Sequence, residues 1–314
     1  MNKKESKIQI YYVGSNDSLI SRIYIDNLIK FLKTNKKFEL KYIINTEFKN
    51  KSYITKLRKK LILLIYFFFN RNYYKHLKLI SVNSNYPSFA KQAVSNYISF
   101  QNYEDFLNQK IEKNSMLLSC GGMRIFKRKL LKKFEISINY HHALLPQFRG
   151  VYSNGLEIFY NKNYTYFSWH YINAQIDRGY IFYKNKIRIN KPLKHMIFYD
   201  LEKINLASKK IKKILTLAIK SKKKLYSSKK GHYYSKSYFD NYFNNLKKFK
   251  FEQIKKFITI FGGFVYNGVF VTRIRKSHSG ISLADCKIKI CEIKYLPIFI
   301  YKIFKFFNLI NPKV

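Results

Sequence analysis

The chain has 314 residues and a formal net charge of +44 at pH 7, from 61 Lys and Arg residues against 17 Asp and Glu. Apolar residues make up 47% of it and aromatic residues 18%, which excludes a disordered protein and leaves room for one large domain and a smaller one. The cysteines Cys120, Cys286 and Cys291 provide no disulfide framework and no zinc-ligand spacing, and no apolar signal segment follows Met1, so we expect a cytoplasmic protein without a metal.

Strand and helix patterns alternate through the first 120 residues. Strands are predicted at residues 7–13, 39–44, 77–82 and 115–119, and helices at 19–32, 52–75 and 89–98. Such alternation favours an α/β fold with a doubly wound, mostly parallel sheet of Rossmann-like type and helices on both faces.

The second half continues the pattern and then changes in composition. Strands are predicted at 136–138, 166–172 and 180–189, and helices at 154–161 and 194–221, the second of them long, basic and amphipathic. Beyond residue 221 we predict a Lys-rich linker, a helix at 251–261 ended by two glycines, and strands at 269–275 and 281–290. The predicted domains are therefore residues 1–221 and a small β-rich region within 222–314.

Polar side chains gather where the strand at 136–138 ends. Asn139 and His141 are two residues apart, so in an extended chain they point to the same side, whereas His142 points away and is expected to be structural. Ligands of open α/β sheets bind at the carboxyl ends of the strands. Further along, His170 and Asp177 add an imidazole and a carboxylate, with His170 either a core residue or a support for the site.

The segment from Asn139 to Gly150 follows the pattern N-x-H-x-[S/A]-L-L-P-x-x-R-G, and an Asp-x-Gly turn begins at Asp177. This combination resembles the formyltransferases that use 10-formyltetrahydrofolate. The resemblance implies a Rossmann-like formyltransferase domain with Asn139, His141 and Asp177 as catalytic residues. Asn139 would donate to the developing oxyanion, His141 would assist it or move protons, and Asp177 would support the imidazole and order a water. Arg149 would either bind loop carbonyls or contact the substrate.

The segment 121–126 resembles the stretch that lines the folate pocket in that family, with Phe at the position where Leu is more usual. The co-substrate implied is 10-formyltetrahydrofolate, without a metal. The residues that the resemblance assigns to folate binding are Met123, Arg124, Ile125, Phe126, Gln175 and Ile176.

The acceptor implied by the resemblance is a small molecule with a primary amine. Phe148–Ser153 differs from the Trp-Arg-Gly-Ala-Ala-Pro continuation of methionyl-tRNA formyltransferases, which favours a phosphorylated or nucleotide-linked amino sugar. Transfer to methionyl-tRNA is the first alternative, and an inactive formyltransferase-like binding module is the second. The positive charge fits either an anionic acceptor or a codon bias towards Lys and Asn.

Two apolar segments framed by basic residues, 61–69 and 295–307, are either core elements or peripheral membrane contacts. The nine residues of the first are too few to cross a bilayer, which needs about 20. The sequence carries no signal for the oligomeric state.

Overall fold

A sheet of seven strands runs through the part of the chain that the computed structural model describes, namely residues 7–16, 18–46, 97–99, 110–122, 125–221, 231–242, 249–262, 264–266 and 269–271. The strands are β1 (Ile8–Gly14), β2 (Phe38–Asn45), β3 (Tyr97–Ser99), β4 (Ser115–Cys120), β5 (Ile136–His141), β6 (Phe148–Gly150), β7 (Tyr164–Tyr171), β8 (Ile181–Arg188), β9 (His232–Tyr234), β10 (Phe264–Tyr266) and β11 (Val269–Val271). The helices are α1 (Leu19–Thr34), α2 (Arg128–Leu131), α3 (Ser153–Tyr160), α4 (Met196–Ser208), α5 (Ile211–Lys220), α6 (Lys236–Asp240) and α7 (Phe251–Phe261).

The strand order of the main sheet is β3-β2-β1-β4-β5-β7-β8. The first five strands pair in parallel, and β7 and β8 extend the sheet in antiparallel pairing. The direction of winding reverses between β1 and β4, which is the switch point of a doubly wound fold. The predicted α/β fold class with a doubly wound, mostly parallel sheet is confirmed for the described residues.

Side-chain alternation gives the sheet two different faces. One face packs against α1, α4 and α5 through a large apolar core that includes Ile10, Tyr12, Leu118, Ile138 and Trp169. The opposite face carries a smaller core made by Tyr11, Val13, Ile44, Leu117, Phe126, Leu130 and Phe134. Asn139 lies on this second face, because it pairs in register with Ser119, two residues after Leu117. The site therefore opens on the face with the smaller apolar core.

One predicted helix is interrupted in the structure. The helix predicted at 194–221 is two helices, α4 and α5, separated at Lys209 and Lys210. The buried residues Ile204, Ala207, Ile211 and Ile214 keep helical spacing across the break, so periodicity gives no sign of it. Both helices pack on α1 and β8, whereas α4 alone also packs on α3 and β7 and α5 alone on β5.

A second prediction fails at its end. The helix predicted at 89–98 overlaps β3, whose residues pair in parallel with β2. Its first part lies outside the described residues, as do the elements predicted at 52–75, 77–82 and 281–290 and most of 269–275. Within the described part, β10 and β11 form a two-stranded antiparallel sheet. The predicted helix at 251–261 is confirmed, and it ends at Gly262, whose φ of 81° suits glycine.

The described chain beyond residue 230 contacts the α/β region at two places. β9 pairs in parallel with β6, and α7 buries Ile254, Phe257 and Phe261 in a core shared with α3 and with Tyr199 of α4. The boundary predicted between residues 221 and 222 stays a prediction. Within the described residues, no helix is long and apolar enough to cross a membrane; the apolar segments 61–69 and 295–307 lie outside them.

Candidate active site

The carboxyl end of β5 presents Asn139 and His141 beside β7. The antiparallel register places His170 opposite Asn139 and Ser168 opposite His141. Asn139 Nδ2 lies 3.2 Å from His170 Nε2. The other face of β5 buries Ile138 and Tyr140, which fixes the strand and hence the direction of its polar side chains. The sheet thus holds an amide and two imidazoles on one surface.

Asp177 reaches this surface from the loop between β7 and β8. Its Oδ2 lies 3.6 Å from His141 Nδ1, and its Oδ1 lies 3.6 Å from His170 Nε2. The N–H of Gly150 donates to Oδ2 at 2.9 Å. The structure therefore brings together the three residues predicted to be catalytic, Asn139, His141 and Asp177, with His170 as a fourth. These four residues are called the site cluster below.

Glycine is needed twice to build this loop arrangement. Gly150 has φ 90°, and a Cβ there would lie 2.4 Å from the carbonyl oxygen of Tyr234. A Cβ on Gly179 would lie 1.6 Å from the carbonyl oxygen of Tyr171. Any side chain at either position would push the backbone away from its neighbour. The glycine of the Asp-x-Gly turn therefore lets the chain that carries Asp177 approach β7.

The hydrogen bonds of the two imidazoles define their neutral forms. His141 Nε2 lies 2.7 Å from the carbonyl oxygen of Phe148, which only accepts, so Nε2 carries the hydrogen and Nδ1 presents a lone pair to Asp177. His170 Nδ1 donates in the same way to the carbonyl oxygen of Tyr171 at 2.8 Å, so its Nε2 accepts from Asn139. Each imidazole thus turns an unprotonated nitrogen towards the carboxylate. A separation of 3.6 Å is longer than a hydrogen bond, so a proton can be taken up there.

Electrostatics keep the carboxylate charged and one imidazole neutral. Burial alone would raise the pKa of Asp177, but attraction to the imidazoles of His141 and His170 in their protonated forms and the N–H of Gly150 outweigh it and lower that pKa. Burial lowers the pKa of His170 to about 4 and that of His142 to about 3. At neutral pH, Asp177 is therefore ionised next to a neutral His170.

Ser153 completes an arrangement that looks like a hydrolase triad, because its Oγ lies 3.2 Å from His141 Nε2. That nitrogen already donates to Phe148, and a donating N–H cannot take the proton of a serine. Ser153 is also fully buried. Its hydroxyl therefore acts as a second acceptor that orients the imidazole, and a nucleophilic role is excluded.

The residues predicted to bind folate lie in two places. Met123 and Arg124 lie outside the described residues. Phe126 is buried in the smaller core, and Ile125 is 65% exposed. No main-chain hydrogen bond joins Ile125 or Phe126 to another described residue. Their main-chain N–H and C=O groups can therefore bind a ligand that has both donors and acceptors along one edge. Gln175 and Ile176 are exposed on the loop just before Asp177.

Other polar residues of the region have structural contacts. Arg149 donates to the carbonyl oxygen of Gly231, which supports its predicted loop-binding role. The residues that sequence reasoning missed are Phe148, through its carbonyl, and Ser153. Phe148 lay within the quoted pattern, but a main-chain carbonyl carries no sequence signal. Among the described residues, no group of three or more His, Cys, Asp or Glu could hold a metal ion.

The fold places an amide, two imidazoles and a carboxylate together at the carboxyl edge of a doubly wound α/β sheet. Residues 79–197 match the family described as Formyl transferase. Over these residues the chain is similar to that family. No curated protein matches the sequence.

Solved structures of N-formyltransferases share the fold. The sugar 3N-formyl transferase WlaRD, solved with dTDP and 5-N-formyl-THF, is 19% identical with a TM-score of 0.53, over 81% of this chain and 80% of that one. An N-formyltransferase from Helicobacter canadensis, solved with folinic acid and dTDP-3-aminofucose, is 21% identical with a TM-score of 0.50, over 81% of each chain. A 4-N formyltransferase from Francisella tularensis is 14% identical with a TM-score of 0.52, over 87% of this chain and 94% of that one.

Proposed function

We propose that this protein transfers a formyl group from 10-formyltetrahydrofolate to the primary amine of a nucleotide-linked amino sugar. The observation that carries the proposal is the convergence of Asn139, His141 and Asp177 on one surface at the carboxyl end of β5. The exposed main chain at Ile125 and the loop at 175–176 supply the groups for the folate. When bound, that molecule provides an activated formyl group.

Asn139 suits the stabilisation of negative charge on the formyl oxygen. One N–H of its amide is directed at His170 Nε2, which fixes the plane of the amide. The side chain is only half-buried, so the second N–H remains available to a ligand. A fixed donor aimed at a developing oxyanion is worth about 100- to 1,000-fold in rate.

His141 and Asp177 suit the transfer of the proton. As the amine nitrogen bonds to the formyl carbon, it must lose a proton, and the folate nitrogen that leaves must gain one. His141 Nδ1 presents a lone pair, and the charged Asp177 lies 3.6 Å away to stabilise the imidazolium that forms. The same proton can then pass to the leaving nitrogen, directly or through a water, which restores the starting state.

Two observations support the choice of acceptor: the ligands present in structures of similar fold, and the net charge of the chain. The similar structures with dTDP and dTDP-3-aminofucose are sugar-modifying formyltransferases. A net charge of +44 favours the approach of a diphosphate-linked acceptor. The same charge would also suit a tRNA, so the test must separate the two.

The test is tetrahydrofolate release from 10-formyltetrahydrofolate with a panel of amines, made up of dTDP- and UDP-linked 3-amino and 4-amino sugars, the free amino sugars and methionyl-tRNA. We expect turnover with a nucleotide-linked amino sugar. Turnover with methionyl-tRNA alone would mean that tRNA, not an amino sugar, is the acceptor. That turnover should be abolished by about 200 mM salt, because phosphate contacts weaken with salt. No turnover with any amine would favour a binding module without activity.

A further inference from the structure

Three ionisable side chains form a cluster next to residues 142–147, which connect β5 to β6 and are called the site loop below. Glu157 of α3 and Lys203 of α4 are fully buried, and Asp200 of α4 is 5% exposed. Lys203 Nζ lies 3.7 Å from Glu157 Oε2 and 4.0 Å from Asp200 Oδ1. Asn154 donates to Asp200 Oδ2 at 2.6 Å. Glu157, Asp200 and Lys203 are called the buried charge cluster below.

Stability alone does not explain this cluster. Burial lowers the pKa of Lys203, raises that of Glu157, and raises that of Asp200 to about 6, so the loss of hydration outweighs the attraction between the charges. Buried ion pairs of this kind contribute little net stability compared with apolar side chains of the same size. Their presence points to a requirement for a particular geometry.

The closest contact of the lysine is with the site loop. Lys203 Nζ donates to the carbonyl oxygen of His142 at 2.7 Å, which is shorter than its distance to either carboxylate. Glu157 Oε1 accepts from the N–H of Leu144 at 3.0 Å. Ser168 of β7 donates to the carbonyl oxygen of Ala143 at 2.9 Å and accepts from the N–H of Leu145 at 3.1 Å.

Three side chains therefore hold four successive main-chain groups of residues 142–145. Glu157 is itself fixed, because its Oε2 accepts from the Thr165 hydroxyl at 2.6 Å and from the N–H of Tyr166 at 3.0 Å. A loop of irregular backbone gains the order of regular structure by this means. The loop leads from His141 to β6, so its position sets where β6 begins.

β6 supplies two contacts that define the site cluster. The carbonyl oxygen of Phe148 fixes the hydrogen of His141 on Nε2, and the N–H of Gly150 binds Asp177. A shift of the loop would move both contacts together. The tautomer of His141 and the 3.6 Å gap to Asp177 thus depend on the residues that hold 142–145.

We infer that Lys203, with Glu157 and Ser168, is a positioning residue for formyl transfer, which holds the site loop so that His141 keeps its Nδ1 lone pair towards Asp177. The inference deepens the proposed function and rests on it for its kinetic consequences. It predicts a loss in kcat with KM nearly unchanged, because these side chains do not touch the substrates. A displacement of up to about 1 Å in the reacting groups costs about tenfold to a hundredfold.

The test reads the imidazole of His141 directly by nitrogen NMR of the full chain labelled at its seven histidines, with the His141→Gln variant to assign the signal. Wild type is expected to show the Nε2–H form. Lys203→Met is expected to show a mixture of both neutral forms. The matched control is Lys256→Met, because Lys256 also donates to a main-chain carbonyl, that of Phe159 at 2.5 Å, away from the loop.

A milder variant keeps the test decisive if Lys203→Met fails to fold. Ser168→Ala removes the hydrogen bonds to Ala143 and Leu145 without exposing a charge, and it is expected to shift the His141 signal in the same direction. Wild-type signals of His141 in folded Lys203→Met, or in Ser168→Ala if the first is unfolded, overturn the inference. The NMR readout needs no substrate, so it tests the positioning role separately from the proposed function. Failure of the proposed function would appear instead as absent turnover in the wild-type protein.

Discussion

Two polar clusters contact residues 142–150, and they differ in how fully their carboxylates are hydrogen-bonded. In the buried charge cluster, Glu157 accepts from three donors and the ammonium of Lys203 is directed at a carbonyl. In the site cluster, Asp177 accepts from Gly150 and otherwise faces two nitrogens 3.6 Å away. Glu157 uses its hydrogen-bonding capacity to hold the loop in place, whereas Asp177 keeps capacity that can accept a proton. Within one small region, one cluster therefore holds the loop in place and the other is open to proton transfer.

The largest expected effect is a loss of stability when the buried charge cluster loses its lysine. Lys203→Met leaves Glu157 buried without its cation, and removal of one partner of a buried pair costs about 3–5 kcal/mol in free energy of unfolding. Urea denaturation measures it. Lys256→Met, at a half-buried position, is expected to cost clearly less. Equal losses in the two variants would mean that the buried charge cluster has no special structural weight.

The next effect is on rate at the site cluster. Asn139→Ala removes the proposed oxyanion donor, so kcat is expected to fall by about 100- to 1,000-fold. Steady-state release of tetrahydrofolate measures it, with unfolding temperature as the check on folding. The control is Asn185→Ala, which changes the same residue type on β8, where the amide contacts Tyr183. A rate within a few-fold of wild type for Asn139→Ala would remove Asn139 from the mechanism.

The low pKa of His170 predicts that the stability of the protein depends on pH. Burial lowers this pKa from its usual 6.5 to about 4, so between these values the unfolded chain binds a proton that the folded chain does not. Stability should therefore fall as the pH drops from 6.5 to 4, by about 3 kcal/mol from this residue. Unfolding by urea at pH 7 and pH 4 measures the difference.

His170→Gln should lose this part of the pH dependence, whereas the same change at the exposed His232 should keep it. Retention of the full acid sensitivity in His170→Gln would show that other groups cause it. His142 remains in both variants, so its own contribution cancels in the comparison.

The smallest effect is expected at Ser153. Ser153→Ala removes one of two acceptors of the His141 Nε2 hydrogen and leaves the carbonyl of Phe148, so kcat should fall by less than about tenfold. Burst kinetics and kcat check it. A loss near the 10⁶-fold typical of a missing serine nucleophile would contradict the exclusion of a triad.

The sequence predicted most of what depends on local patterns. β5, β7 and α3 followed from apolar periodicity, and alternation along β5 placed Asn139 and His141 on one face, whereas β6 was not predicted. The helix at 251–261 was marked by its glycine ending. Each of these features is a property of adjacent residues, which periodicity and turn chemistry read directly.

What the sequence could not show depends on contacts across the chain. The break at Lys209 and Lys210 has no Gly or Pro, and the apolar spacing continues through it. The buried charge cluster joins residues 46 positions apart, and single Glu and Lys residues normally indicate a solvated surface. The carbonyl that orients His141 is a main-chain group, which every residue possesses.

The central claim is that a proton moves in the gap between His141 Nδ1 and an ionised Asp177. The most direct measurement is the single-turnover rate of tetrahydrofolate release by Asp177→Asn, which keeps the shape of the side chain and removes its charge. With saturating folate and acceptor and an unchanged unfolding temperature, we expect this rate to fall by about 100-fold or more. A rate within twofold of wild type would contradict the account.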